Sequence, residues 1–425
     1  MKRFFALFVI LALFVTMLGI TVFSAPAKVT LKIGDTIPDR KSPRGLVLEE
    51  INAQFKAKHP NVEIVTESYQ DQAYQQKIKI YAAADQLPDV FKYWSFKNML
   101  GELAKNDYLL ALNPKSYAKL GFLPGALESC TYFGKTWGLP ESCDFWMIYY
   151  NKALFAKYNV KVPTTLDELV AAAKVLRSNG VIPVVTDGKD SWPLAIMFTN
   201  LVDRTAGDFT LIQKALDRKI KFTDPAFLAA ANKFKELIDQ KVFADDLVTS
   251  DYGASRNLFG QEKAAMYMMG SWETGLATDT NFSENFRNNV SVFKFPAGPK
   301  GSINNLTAWY GGCYVVSAKT KHKALALDYL KTFYTLYPKL IWENKAAVPA
   351  QVVKTSAQDN QLSKDAMAIL GSAKKTSGTT VNDLSTPEFK NTCEKLSQEL
   401  AAGVKTPEQF LKALDEAAAK AAEAK

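Results

Sequence analysis

The residues of this chain that could do chemistry are flat aromatics, carboxylates and close-set glycines. Seven tryptophans all lie at or after position 94, and Trp309, Tyr310, Gly311 and Gly312 run consecutively. An indole can cover an apolar ring face, and a glycine pair lets backbone N–H groups approach a ligand because no Cβ intervenes. The same pair suits a tight turn that feeds the next strand. Asp144 and Glu273 could be imagined as the two carboxylates of a glycoside hydrolase, which must flank the scissile bond at a fixed separation. Nothing in their spacing requires it. Only two histidines exist, His59 in a Lys-His-Pro turn and His322 at a lysine-rich helix start, which argues against histidine-based catalysis. The cysteine spacing matches no metal motif. Binding, without a cofactor or a metal, is the expected activity.

The elements that must carry these residues follow a layered pattern. From Val29 short apolar runs alternate with amphipathic stretches, the signature of βαβ units. Val29 to Ile33 reads as a first strand. Ser42-Pro43 supplies an N-cap and a first-turn proline for a helix to about Lys58, with Leu46, Ile51 and Phe55 facing inward. Strands are expected over Val62 to Thr66 and up to Tyr93, with a helix from about Tyr74 to Ala84 between them. Asp35 and Asp71 then sit just outside the carboxyl ends of strands, where doubly wound sheets place ligands. Beyond Gly138-Leu139-Pro140 the pattern restarts. Thr165-Leu166-Asp167-Glu168 is a capping box, Asn179-Gly180 ends that helix, and Val181 to Val185 is a strand. Asp224-Pro225 opens another helix, and the tail from Pro407 is helical by propensity.

The chain has 425 residues, 48% hydrophobic and 22% charged, which is enough polymer for two domains. Lys2 and Arg3 precede an almost wholly apolar stretch from Phe4 to Ile20, followed by small residues, as in a secretory leader. Cleavage is expected after Ala27, with Ser24 as the competing point and an uncleaved anchor as the bland alternative. No cysteine stands just after the apolar run, the first being Cys130, so a lipid anchor is not expected. The formal charge of +9 is dispersed among acids along helices and shows no arginine-aromatic stripe that would suit nucleic acid. Cys130, Cys143, Cys313 and Cys393 would meet an oxidising compartment after export. Cys130 with Cys143 is the local candidate pair, and buried free thiols are equally compatible.

Five stretches together resemble the extracellular solute-binding proteins of bacterial ATP-binding-cassette sugar importers, the maltose-binding-protein-like group. They are EEINAQFKAKHPNVEI, LPDVFKYW, YFGKTWGLPESCDFWMIYYNKALF, GQEKAAMYMMGSWE and GGCYVVSAKTKHKALALDYLKTF, in the expected order. The resemblance implies an α/β, two-lobe periplasmic-binding fold of type II-like layout, each lobe a doubly wound sheet joined by a multi-strand hinge. Residues 28–143 and 292–342 would form lobe one and residues 148–288 and 346–425 lobe two, with crossings near 144–147, 289–291 and 343–345. It also implies that Trp272 stacks on a sugar, that Asp144 accepts hydrogen bonds from sugar hydroxyls, and that Trp192, Trp94 and the Trp309–Gly312 cluster lie at the cleft. Trp137 and Trp146 read as hinge packing. The implied partners are a carbohydrate and membrane permease subunits, with a periplasmic, monomeric receptor. A polyamine or other non-sugar receptor of the same fold is the main rival, since polyamines want several acids against few aromatics.

Overall fold

The computed structural model describes residues 28–356 and 359–423; the leader expected over residues 1–27 lies outside them. The first half builds β1 (Val29–Asp35), α1 (Pro43–Lys58), β2 (Val62–Ser68), α2 (Asp71–Ala83), β3 (Val90–Trp94) and β4 (Gly138–Pro140). The Ser42 hydroxyl accepts the Gly45 N–H at 3.2 Å and Pro43 opens α1, as its fixed φ favours. Val47, Leu48, Ile51 and Phe55 form the buried stripe of α1. Leu46, expected inward, is 53% exposed because it shares the solvent face with Glu50 and Gln54 at four-residue spacing.

The chain continues through β5 (Cys143–Asn151), α3 (Leu166–Ser178), β6 (Ile182–Val185), α4 (Trp192–Ala206), α5 (Pro225–Asp239), α6 (Tyr252–Gly260), β7 (Ala264–Gly270), β8 (Val290–Lys294) and β9 (Ala308–Tyr310). It then makes β10 (Gly312–Val316), α7 (Lys323–Glu343), α8 (Pro387–Ala401) and α9 (Pro407–Glu423). Thr165 and Glu168 form the expected capping box on α3.

Two sheets result. The first has the order β2-β1-β3-β10-β4, and the second β8-β5-β7-β6 with β9 also on β5. Both are mixed: β1 is parallel to β2 and β3, while β10 runs antiparallel between β3 and β4. In the second sheet only the β6–β7 pair is parallel. Helices cover both faces of the first sheet. On one side Ile51 and Phe55 of α1 meet Leu330 and Phe333 of α7; on the other Tyr74 and Ile78 of α2 meet Phe91 and Tyr93. Strands β5 and β7 are buried almost throughout, as the near-continuous apolar runs FWMIYY and AAMYMM require of central strands. All four cysteines carry free thiols, so Cys130 and Cys143 are not bonded to each other.

The crossings between the sheets differ from the expected positions. Val290–Lys294 pairs antiparallel with Met147–Asn151, which holds residues 292–310 with the second sheet rather than the first. The chain returns to the first sheet only at Gly311, between β9 and β10. The outward crossing falls at residues 141–143; residues 348–350 lie against it, but Gln351 and Val352 still bond to Leu120 O, Tyr334 O and Gly121 O of the first half, so the last crossing follows Val352. These three segments lie side by side: Glu141 N–H donates to Gly312 O at 2.8 Å, Gly311 N–H to Ser142 O at 3.1 Å, Cys143 N–H to Val348 O at 3.0 Å and Ala350 N–H to Glu141 O at 3.0 Å. Local pattern could not reveal this, because β8 and β9 are too short to declare which sheet they join.

A fully buried arginine fixes the rerouted segment. Arg204 of α4 is 0% exposed and donates to Pro296 O at 2.7 Å, Phe295 O at 3.1 Å and Asn305 O at 3.0 Å while pairing with Asp203. Removing one member of a buried pair strands the other charge. Arg204→Ala is therefore expected to lower unfolding stability by about 3–5 kcal/mol in urea titration; a loss under about 1 kcal/mol would show that this anchor is dispensable.

Candidate functional site

A cavity of about 620 Å³ opens where the two sheets face each other. Its walls come from both: the β1–α1 loop, the start of α2, the end of β3 and the crossing segments on one side, and the starts of α4, α6 and α8 with the turn after β7 on the other. The halves also touch around it. Asn98 Nδ2 donates to Asn382 O at 3.1 Å, and Asn281 Nδ2 approaches Asp39 Oδ2 at 3.5 Å.

Aromatic rings line much of this cavity. Trp272, Trp309, Trp192, Trp94 and Phe96 all line it. The Trp272 centroid lies 6.0 Å from Trp309, 5.9 Å from Trp192 and 6.2 Å from Trp146, and Trp309 is 6.5 Å from Phe96. Trp146 is 1% exposed and supports Trp192 and Trp272 from behind. The turn after β7 dictates the pose of Trp272. Its ring folds back over Gly270, where a Cβ would stand 2.1 Å from the ring. The Ser271 hydroxyl meanwhile accepts the Phe145 N–H at 3.2 Å and ties the turn to β5.

Asp144 stands directly opposite Trp309 in the β5–β9 ladder, so both project from one face. It lines the cavity, is 8% exposed, and its Oδ1 has no hydrogen-bond partner among the described residues. A Cβ on Gly311 would fall 1.7 Å from Asp144 Oδ2, so glycine at this crossing makes the room the carboxylate occupies. Gly312 lines the cavity; Gly311 does not, and acts through Asp144. Asp71, the first residue of α2, lines the cavity as well. Burial pushes the carboxyls of Asp144 and Asp71 up to about 6, against the pull of Lys92 on the first and Lys390 on the second.

Two expected residues stand elsewhere. Asp35 lies outside the lining. It is 2% exposed, and its oxygens accept from Arg40 Nη2 at 2.7 Å, Ser68 Oγ at 2.8 Å and Ile37 N–H at 2.9 Å, so it builds the loop whose later residues reach the cavity. Tyr310, also outside the lining, alternates away from Trp309 on β9 and donates its hydroxyl to Pro124 O at 2.7 Å.

Charged groups that sequence alone did not single out complete the walls. Lys92 and Arg44 both reach Glu141 Oε1, Arg44 at 3.1 Å. Burial works to raise the Glu141 pKa, but these two cations outweigh it and hold the carboxyl below its ordinary range. Arg256 spans Glu273 Oε2 at 2.7 Å and Asp279 Oδ2 at 2.8 Å, and the Tyr252 hydroxyl donates to Glu273 Oε1. Lys390 of α8 bonds Asp383 at 3.0 Å and Glu394 at 2.5 Å, which together outweigh burial and raise its pKa. The i, i+4 spacing of Lys390 and Glu394 was visible, but it reads like any solvated helix pair.

Residues 41–335 match the profile of the family described as bacterial extracellular solute-binding protein. The chain belongs to that family. This solute-binding protein is 28% identical over 244 residues to an uncharacterized ABC transporter extracellular-binding protein of Pyrococcus horikoshii, a match spanning 55% of each chain. It is 24% identical over 308 residues, 70% of each chain, to the multiple sugar-binding protein of Streptococcus mutans. A solved structure from work on xylan utilization by Caldanaerobius polysaccharolyticus superposes with a TM-score of 0.84 at 28% identity, covering 91% of this chain and 99% of that one. A chitin oligosaccharide binding protein superposes with a TM-score of 0.81 at 26% identity, covering 93% and 99%. The two-lobe α/β fold of the solute-binding protein is the fold of these structures.

The raised carboxyls carry a pH signature. A carboxyl that holds its proton more tightly folded than unfolded makes the folded state bind protons first. The contribution of these two carboxyls to the stability of the ligand-free protein then rises as pH falls from above 6 toward the ordinary aspartate value near 4. Calorimetry at pH 7 and pH 5 is expected to show a smaller gain in the Asp71→Asn/Asp144→Asn double variant than in the parent. An equal gain would mean that neither carboxyl is perturbed.

Proposed function

We propose that this solute-binding protein is the carbohydrate-binding component of an ABC transporter, capturing a mono- or oligosaccharide outside the inner membrane and delivering it to permease subunits. One observation carries this: an aromatic surface contributed by both halves of the fold faces a buried Asp144 oxygen that has no partner within the described protein. A sugar ring needs that combination, apolar platforms for its C–H faces and a charged acceptor for its hydroxyl edge. The names of relatives point the same way, since those of Streptococcus mutans and Pyrococcus abyssi are a multiple sugar-binding and a maltotriose-binding protein.

The protein acts as a monomer and performs no chemistry on its ligand. Glu273, the one imagined partner for Asp144 in hydrolysis, has both oxygens engaged, by Tyr252 and by Arg256. A carboxyl so held is poorly placed to donate a proton to a leaving group. A linear polyamine would leave the indole faces without a flat partner.

Ligand bridges the halves, so binding favours the closed arrangement. The crossing segments at residues 141–143 and 311–312, with residues 348–350 hydrogen-bonded beside them, serve as the hinge.

A thermal-shift screen of the chain from Lys28 onward, against mono- and oligosaccharides with polyamines and amino acids as controls, tests this. A saccharide is expected to raise the melting temperature, because it binds only the native state. Trp272→Ala is expected to weaken that ligand by roughly tenfold or more. Small-angle scattering with the same ligand is expected to show compaction. A response to polyamines alone would overturn the ligand class, and binding without compaction would overturn the hinge.

A further inference from the structure

The charge of the cleft is opposite to that of the chain. The sequence carries a formal +9, yet eight carboxylates line the cavity against five cationic side chains. Every one of those cations is already engaged: Arg44 and Lys92 by Glu141, Lys189 by Asp251, Arg256 by Glu273 and Asp279, and Lys390 by Asp383 and Glu394. What remains is acid. Asp39, Asp71, Asp144 and Asp190 make no ion pair among the described residues. Asp144 is 8% exposed, with Oδ1 unsatisfied.

Two of these acids line the cavity from opposite halves. Asp71 is the first residue of α2, and Asp190 lies just ahead of α4. Asp190 raises the energy of the charge on Asp71, whereas Asp187, buried behind with its Oδ1 accepting the Asp190 N–H at 3.0 Å, is pushed up to about 9, chiefly by burial, so it stays protonated near neutral pH and adds no charge of its own. Lys390 is the cation that acts on Asp71, but it is already shared between two carboxylates. Trp94 and Trp192 line the cavity on the same two sides. No group of three or more His, Cys, Asp or Glu among the described residues could hold a metal ion. A primary ammonium fits instead: three donors for carboxylate oxygens, and a charge attracted to the faces of indoles.

We propose that the ligand of this cleft is a saccharide bearing a protonated primary amine, with its ammonium seated between Asp71 and Asp190 beside Trp94 and Trp192. This rests on the saccharide-binding function and narrows it. A hydroxyl of a neutral sugar satisfies a carboxylate's lone pairs but leaves its charge uncompensated as the cleft closes and water leaves. An ammonium does both, in a setting where Coulomb attraction is weakly screened.

Titration calorimetry slightly below neutral pH with three disaccharides tests this: the β-1,4-linked glucosamine dimer, its N,N′-diacetyl form and cellobiose. They share ring and linkage and differ at C2 in carrying an ammonium, an amide or a hydroxyl. The glucosamine dimer is expected to bind roughly tenfold tighter than either of the others, the scale of one charge-assisted hydrogen bond. Asp71→Asn, and separately Asp190→Asn should the first variant not fold, is expected to bring that ratio toward one. Equal affinities, tighter binding of a neutral dimer, or a ratio unchanged in the folded variant would overturn the amine preference. So would failure of all three dimers to bind while a neutral sugar from the thermal-shift screen does; the saccharide function would then stand. Failure of every saccharide, neutral or amino, would overturn that function itself.

Discussion

Three backbone segments hydrogen-bonded side by side, at residues 141–143, 311–312 and 348–350, are the constraint on which the rest of the molecule depends. They satisfy one another's N–H and C=O groups where the chain must leave one sheet and enter the next, a place where unpaired backbone would otherwise be buried at high cost. A ribbon of this kind can bend through small dihedral changes but cannot slide without losing its register. Glu141, Asp144, Gly311 and Gly312 lie on or beside it. Part of the cavity wall is thus built from the element that joins the two halves, and the geometry of one constrains the other.

Two kinds of interaction divide the cavity between them. The indoles are held by packing and by glycine: Trp272 by the space above Gly270, Trp192 and Trp272 by the buried ring of Trp146. The charged side chains are held by one another, as Lys92 and Arg44 are by Glu141 and Lys390 is by Asp383 and Glu394. Pre-pairing of this sort orients donors and acceptors before a ligand arrives, so little side-chain freedom remains to be lost on binding. It also leaves Asp71 and Asp144 as the carboxyls that burial perturbs upward among those lining the cavity, because no cation closes on them.

Much of this was legible in the amino acids, for reasons that can be located. Caps are local, so Ser42-Pro43 and the Thr165–Glu168 box announce themselves. Trp272, Trp309, Trp192, Trp94, Asp144, Asp71 and Gly312 all reach the cavity wall, the tryptophans through family-like segments and Asp71 through its place after a strand. Asp35 misled because the end of a strand indicates where a loop begins, not which way its first side chain turns. Leu46 misled because the hydrophobic stripe of α1 runs one residue further along. The crossing at Gly311 and the wall formed by Asp383 and Lys390 were hidden because both depend on partners far away in the chain: β5 for the first, α4 and the neighbourhood of Asn98 for the second.

The tryptophan cluster has a consequence of another kind. Trp146, Trp192, Trp272 and Trp309 form a linked set with neighbouring centroids about 6 Å apart at oblique angles. Indoles this close share their electronic excitation, so the cluster absorbs and emits as a coupled array and not as four separate chromophores. Any molecule that inserts against Trp272 or shifts Trp309 with the hinge alters that coupling, and the protein carries an optical reporter of its own occupancy without any added label.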